Sequence, residues 1–441
     1  MIPIIPVAAV PPAPTFLDGS GLAAPPPLAL YVHWPWCVKK CPYCDFNSHE
    51  SGGGIDADIE AAYLAALIAD LEAALPAIWN RPVVSVFIGG GTPSLMRAAT
   101  ADALLAAIRM RLPLHPGAEI TLEANPGTAE AAKFAAFRAA GVTRLSIGVQ
   151  SFSNAKLAAL GRIHDSAEAQ RAIEMAQRHF ERVNLDLMYA LPQQTFAEAE
   201  RDIAAAIGSG VGHISAYHLT LEPNTPFHHA PPPLPDDDLA ADMQEMVEDR
   251  LAAAGFGHYE TSAFAKREGH PPAPLPWEGG DGGSPSADGS MLLARAALGR
   301  PGDGSDQRCR HNLNYWTFGD YLGIGAGAHG KLSNHETIWR EARHRNPRAY
   351  LAGAARGDFI STRQNIARAD LPGEFMMNAL RLNEGFPPAL FAERTGLPLA
   401  AIEKSALAAR REGLLETVDG RMRPTAQGRR FLNQLLAGFL P

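Results

Sequence analysis

From Leu28 to about Thr220, short apolar runs alternate with longer runs whose apolar positions recur every three or four residues. The short runs are LALYVHW (28–34), VVSVFIGG (83–90), EITLEAN (119–125), TRLSIGVQ (143–150), VNLDLMYA (183–190) and HISAYHLT (213–220). They are rich in β-branched and aromatic residues, as buried parallel strands are. Between them, Tyr63, Leu64, Leu67, Ile68, Leu71 and Leu75 mark one face of a helix. Further helices fit 100–111, 128–140, 166–179 and 195–208, with Thr128 and Thr195 placed as N-caps. Six repeats of strand and helix predict an α/β fold with a parallel sheet, open or curled into a barrel. Function then belongs to the loops that follow the strands. The unusual residues fall there: Cys37 to Cys44, Gly89 to Ser94, Glu123 to Pro126, Gln150 and Asp186.

The pattern changes after Leu221. Asp236 to Gly255 reads as a helix with an acidic start, apolar Leu239, Met243, Met246, Val247 and Leu251, and a glycine stop. Residues 269–308 are rich in Gly, Pro and Ser and read as a flexible insertion. Patterned sequence resumes at CRHNLNYWTFGDYLGIGAGAHG (309–330). Residues 363–441 are helical around an Asp419-Gly420 turn, which suggests a winged-helix-like module. The expected domains are thus a Pro/Ala-rich disordered tail (1–26), a barrel (27–221), an α+β extension (222–362) and the C-terminal module (363–441).

Composition narrows the class. A chain of 441 residues with 46% apolar and 20% charged residues has the make-up of a soluble globular protein of two or three domains. No apolar stretch reaches 18 residues, and the N-terminus lacks the basic start of a secretory signal. A net charge of −8 gives no general attraction to polyanions. Four cysteines, three of them within eight residues, argue against a disulfide framework and for a bound metal in a reducing, cytoplasmic compartment.

Those three form Cys37-Val-Lys-Lys-Cys41-Pro-Tyr-Cys44 directly after the first strand. Three thiolates hold three irons of a [4Fe–4S] cubane and leave the fourth open to a chelating amino acid, such as the methionine end of S-adenosylmethionine (SAM). The alternative is zinc, which takes four ligands; no fourth cysteine lies nearby, though His33 or His49 would complete such a set. Gly89-Gly90-Gly91-Thr92-Pro93-Ser94 follows the second strand and permits close approach of backbone to a ligand. No Lys-Ser/Thr follows it, so it is not a P-loop. Glu123, Gln150 and Asp186 interrupt apolar strands, and buried polar groups there need a partner or a ligand.

At this point the chain resembles the radical SAM superfamily, within it the coproporphyrinogen III oxidase-like family, over about residues 28–440. YVHWPWCVKKCPYCDFNSH (31–49) and His311-Asn312-Leu313-Asn314-Tyr315-Trp316 look like the HemW branch, whose members are haem chaperones. Phe46 stands where the coproporphyrinogen dehydrogenases of that family carry a further cysteine. The resemblance implies a partial (β/α)6 barrel. It also implies a [4Fe–4S] cluster on Cys37, Cys41 and Cys44, and SAM contacts from Tyr31, Tyr43, Gly90, Gly91, Thr92, Glu123, Gln150, Arg162 and Asp186. It implies reductive cleavage of SAM as the family's chemistry, without settling whether this chain is an enzyme. It implies haem as cargo, with His311 the candidate axial ligand and haem-requiring proteins, respiratory ones among them, as acceptors. Dimerisation through the cluster and peripheral association with a membrane through partners belong to the same expectation.

If residues 309–315 are extended, Cys309 and His311 share one face and Cys309 becomes a second candidate haem ligand. Tyr315, Trp316, Phe318 and Tyr321 would then supply an aromatic wall for a flat macrocycle. Residues 399–441 carry seven Lys or Arg against four Asp or Glu. A basic winged helix is a DNA-binding candidate, but such modules also serve as docking units, and that reading is preferred here. The leading function is a haem chaperone; the alternative is oxidative decarboxylation of coproporphyrinogen III.

Overall fold

The computed structural model describes residues 21–128, 131–266 and 306–440. Strand β1 (Leu28–Trp34) is followed by a short parallel pair, β2 (Trp36–Cys37) and β3 (His49–Glu50). Then come β4 (Val83–Gly90), β5 (Leu114–Ala124), β6 (Arg144–Gln150), β7 (Arg182–Tyr189) and β8 (His213–His218). Strands β1, β4, β5, β6, β7 and β8 lie side by side and parallel, so the six apolar runs form the partial barrel. The helices between them include Ala57–Ala74, Ala98–Arg111, Ser166–His179 and Phe196–Gly208. Thr195 caps the last through a reciprocal capping box with Glu198.

The register divides each strand into two faces. Val86, Ile88, Leu122, Leu145, Ile147, Leu185 and Ile214 point outward into one core shared with the helices. The other parity is largely polar: Ser85 pairs with Glu119, Thr121 with Arg144, Ser146 with Asn184, and Asp186 with Ser215. These runs are therefore apolar towards the helices and polar towards the barrel interior, rather than apolar throughout.

The sheet extends beyond the six strands. Antiparallel β9 (Phe256–Glu260) and β10 (Ala263–Lys266) continue past β8. On the other side β11 (Asp320–Ile324) lies parallel to β1, followed by antiparallel β12 (His329–Ser333), β13 (Ile338–Arg343) and β14 (Ile360–Asn365). The C-terminal helices Leu371–Ala379, Ala389–Thr395 and Ala400–Arg411 and the hairpin β15 (Leu415–Val418)–β16 (Arg421–Pro424) surround a second core. The hairpin is tied to the segment between the first two of these helices: Phe386 and Met422 exchange backbone hydrogen bonds, and Arg421 donates to the carbonyls of Glu384 and Gly385.

Several expectations need correction. Thr128 ends a 3-10 turn, Pro126–Thr128, its hydroxyl donates to the Asn125 carbonyl, and the helix described after it is Ala131–Ala140. The tail expectation is wrong for residues 21–26, because Leu22 is buried in the second core and its N–H donates to His335; residues 1–20 lie outside the described part. Residues 306–308 are likewise fixed, Arg144 donating to the Gln307 carbonyl at 2.9 Å, while 269–305 lie outside it. The segment after Cys309 is helical over Arg310–Trp316, not extended. Phe318 is fully buried against Phe375 in the second core and belongs to no ligand-facing wall.

Candidate functional site

The cysteine loop leaves the barrel at the end of β1 and is tied back at both ends. Trp36 pairs with His49 and Cys37 with Glu50, and Lys40 donates Nζ hydrogen bonds to the carbonyls of Phe46 and Ser48. Asn47 anchors the loop by donating to the carbonyls of Ala326 and Arg345 at 2.9 and 2.8 Å. The same residue fixes a histidine beneath it. His33 Nε2 donates to the Asn47 carbonyl at 2.9 Å, so Nδ1 accepts from the Tyr31 hydroxyl at 2.9 Å. Burial pushes His33 down to about 4, which keeps this neutral tautomer.

The glycine turn is built against this loop. A Cβ on Gly91 would stand 2.5 Å from the Trp36 carbonyl, and one on Gly90 2.4 Å from the His33 ring. The N–H groups of Gly91 and Thr92 bond the carbonyls of Trp34 and Trp36, and that of Gly90 bonds Glu123 Oε2 at 3.1 Å. With its amides committed, the turn offers carbonyl oxygens, which suit an ammonium group.

Above the barrel opens a cavity of about 460 Å³. Cys37, Cys41, Cys44, Tyr43, Gly90, Gly91, Thr92, Glu123, Gln150, Arg162 and Asp186 all line it. Tyr31 does not; it lies below, among His33, Phe87 and His311. The thiols of Cys37 and Cys44 are pushed up, chiefly by burial. Arg162 donates to the Gly148 carbonyl at 2.6 Å and lies 3.6 Å from Cys41 Sγ, while its buried Nε has no partner among the described residues. Asp186 accepts from Asn184 and Ser146 at 2.8 and 3.0 Å. Burial, with Asp186 nearby, pushes Glu123 up to about 8 against the opposing Gly90 N–H.

This donor set fits a cubane. The three half-buried cysteines share one cavity, the fourth, Cys309, is buried elsewhere, and Phe46 lines the same cavity with 59% of its surface exposed, offering no ligand atom. His33, a candidate fourth ligand for zinc, has both ring nitrogens in hydrogen bonds, to the Asn47 carbonyl and the Tyr31 hydroxyl. The unpartnered Arg162 Nε and the two close-approach glycines fit a zwitterionic ligand beside the cluster.

Beneath the cavity, the helix Arg310–Trp316 closes the other end of the lumen. Arg310 N donates to Glu119, which also pairs with Arg182 at 2.9 Å. His311 points between Ser85, 3.3 Å from its Nδ1, and Phe87, whose ring centre lies 5.0 Å away. Burial alone pushes His311 down to about 4. Its Nε2 has no hydrogen-bond partner among the described residues. Tyr217 keeps 41% of its surface open although burial drives its hydroxyl far upward. Both hold together only if that open surface faces the interior of the barrel.

Cys309 is separated from His311. It is the N-cap of that helix, its thiol lies near the amides of His311 and Asn312, and it faces Glu119 and Arg144 at the strand starts. Burial raises the thiol to about 12. The sequence reading missed Ser146, Met188, Tyr217, Thr220 and Glu222, which also line the cavity. Inward parity would have found Ser146, two residues before Gly148, and Tyr217, two after Ser215.

Comparison with known proteins agrees with this geometry. The model of the Radical SAM superfamily matches residues 31–206, and that of the HemN C-terminal domain matches residues 366–431. The protein named "Heme chaperone HemW" from Escherichia coli is 43% identical over 420 residues, 94% of this chain and 98% of that one. Its namesake from Haemophilus influenzae is 42% identical, with 94% and 98% covered. The solved coproporphyrinogen III oxidase HemN of Escherichia coli superposes with a TM-score of 0.72 at 21% identity, over 94% of this chain and 90% of its own. That likeness shows the shared fold. The chain belongs to the radical SAM superfamily and, within it, to the HemW family.

Proposed function

We propose that this protein is a haem chaperone: it binds haem inside the barrel, beside a SAM-binding [4Fe–4S] centre, and delivers it to haem-requiring proteins. The observation that carries this is His311. A histidine ligates iron through a neutral ring nitrogen with a free lone pair. Burial keeps His311 neutral, Ser85 Oγ lies 3.3 Å from Nδ1, and Nε2 has no hydrogen-bond partner among the described residues, so the tautomer with Nδ1–H donating to Ser85 leaves the Nε2 lone pair free for iron. The names of the full-length relatives, at 35 to 43% identity, support the same cargo.

When bound, the cluster supplies one electron to SAM. The chain's own residues bind and orient. Cys37, Cys41 and Cys44 hold three irons, Arg162 takes the SAM carboxylate, and the carbonyls of the Gly90–Gly91 turn take its ammonium. Glu123, Gln150 and Asp186 meet the remaining polar groups, and Tyr43 closes the loop side of the cavity. Haem acceptors, respiratory ones included, a cluster-linked dimer and a cytoplasmic location belong to this proposal. Among the described residues no helix is long and apolar enough to cross a membrane.

The test is anaerobic reconstitution of the cluster followed by haem titration. Wild type should hold about four irons and bind haem, and His311→Ala should keep its iron while losing haem affinity by about a hundredfold. Haem binding that ignores His311, together with turnover of coproporphyrinogen III, would favour the decarboxylase instead.

A further inference from the structure

The helix Arg310–Trp316 presents His311 on its first turn and Tyr315 and Trp316 one turn later. The rings of Tyr315 and Trp316 stand edge to face at 5.0 Å, and Tyr315 meets Tyr321 of β11 at 5.2 Å. All three are half-buried, and burial drives the Tyr321 hydroxyl well above its usual range. The aromatic surface that begins at Phe87 and His311 therefore continues towards the C-terminal module.

Two guanidinium groups stand at the end of that surface. Arg381 lies over the Trp316 ring, 5.3 Å from its centre. Its Nε donates to the Met377 carbonyl, and its other two nitrogens have no hydrogen-bond partner among the described residues. Buried Glu260 is within electrostatic reach, but with its carboxyl pushed up to about 7 it gives Arg381 no full counter-charge at neutral pH. Arg340 of β13 lies beside Tyr321, Glu374 and Tyr315 and pairs with Glu374 through one nitrogen, while its buried Nε has no partner among the described residues. Arg381 follows the end of the helix Leu371–Ala379, which carries the Glu374 that pairs with Arg340. Both arginines thus border one edge of the aromatic surface with donors to spare. Guanidinium forks match carboxylates, and flat rings match an aromatic wall.

We propose that Arg340 and Arg381 form the carboxylate-binding edge of the haem site, each taking one propionate while His311 faces the iron. The ligand class is a planar tetrapyrrole with two carboxylates on one edge. This rests on the haem reading of His311, and the experiment separates the two claims.

The cluster-loaded full chain is titrated with haem, haem dimethyl ester and iron-free protoporphyrin IX. The ester keeps the iron and loses the carboxylates; the iron-free ring does the reverse. Wild type should prefer haem to its ester by about tenfold or more. Arg381→Met and Arg340→Gln should each erase most of that preference and leave the affinity for the ester unchanged, whereas a merely structural role would weaken both ligands alike. Iron-free protoporphyrin should depend on the arginines and ignore His311→Ala. Equal affinity of wild type for haem and ester overturns the proposal, and that comparison decides even if an arginine variant fails to fold. Haem binding that ignores His311 but needs the arginines would sink the ligand assignment and leave the carboxylate edge standing.

Discussion

The two ends of the barrel lumen are built in opposite ways. The metal ligands of the upper end are neighbours in sequence, three cysteines within eight residues, although the loop that carries them is anchored by Asn47 to the distant Ala326 and Arg345. The lower end is assembled from residues far apart in the chain, since His311 meets Ser85 across 226 positions. Loops after strands can crowd reactive groups together because their backbone is freed from the sheet. A plug inside a barrel must be matched to the inward side chains of several strands at once. The upper end is therefore tolerant of change in its ligands and intolerant in its backbone, and the lower end is the reverse.

The largest expected effect breaks the upper end chemically while leaving it folded. The loop is held by Asn47, Lys40 and the β2–β3 pair, none of which uses a thiol. Replacing Cys37, Cys41 and Cys44 by alanine should take bound iron from about four per chain to near none. The melting temperature of the iron-free protein should shift by no more than about 4 °C. A collapse of the apo fold in this variant would show that the thiols support the loop after all.

Backbone change at the same end should cost stability directly. An alanine at Gly91 would put Cβ 2.5 Å from the Trp36 carbonyl, which belongs to the strand that enters the cysteine loop. Moving that strand should cost about 2–4 kcal/mol by denaturant titration and reduce iron loading in parallel. Gly54→Ala, where nothing lies within 4 Å, should stay within about 0.5 kcal/mol. If Gly91→Ala were equally silent, the turn would be looser than its contacts imply.

These contrasts explain what could be read from the sequence. The six strands and the cluster loop were legible because each is a local pattern: an apolar run of strand length, or cysteines at fixed spacing. The helix after Cys309 was not, because HNLNYW alternates plausibly as a strand, and what fits it as a helix is distant: Ser85 and Phe87 around His311, and Tyr259, Ala263 and Leu382 around Leu313. The resemblance implies Tyr31 among the SAM contacts, whereas its ring lies a layer below the upper cavity, against Phe87 and His311. Nothing local marks Arg340 or Arg381, whose meaning comes from neighbouring rings met by two distant segments: Arg340 of β13 beside Tyr315 and Tyr321, and Arg381, just past the helix Leu371–Ala379, over Trp316.

Charge links the two ends more weakly. Glu123 sits over the lumen with its carboxyl pushed up to about 8, so below that pH it is largely protonated. A cationic ligand in the cavity favours the carboxylate and must displace that proton. Affinity of the cluster-loaded protein for SAM should therefore rise with pH up to about 8, by at most about tenfold per unit, and level off above. Isothermal titration from about pH 6 to about pH 9 reads this slope, and Glu123→Gln should flatten it. In the ligand-free protein the sign is opposite for stability: the folded state keeps a proton that the unfolded chain has lost, so this group's contribution falls as pH rises from about 4.5 to about 8.

The smallest expected effect tests where the lower end stops. Cys309 and His311 are two residues apart, and on an extended segment both would face the same ligand. On the helix that forms instead, Cys309 is the N-cap; its N–H donates to the Tyr259 hydroxyl at 3.1 Å and its thiol is turned towards Glu119 and Arg144. A thiol raised to about 12 stays protonated at neutral pH, and the protonated form is a poor ligand for iron. Cys309→Ala should therefore leave haem affinity within about twofold of wild type and the Soret band in place, even as His311→Ala lowers affinity about a hundredfold and shifts the band. A Soret shift in Cys309→Ala would mean that the helix unwinds when haem enters, and the plug would then be a moving part of the site.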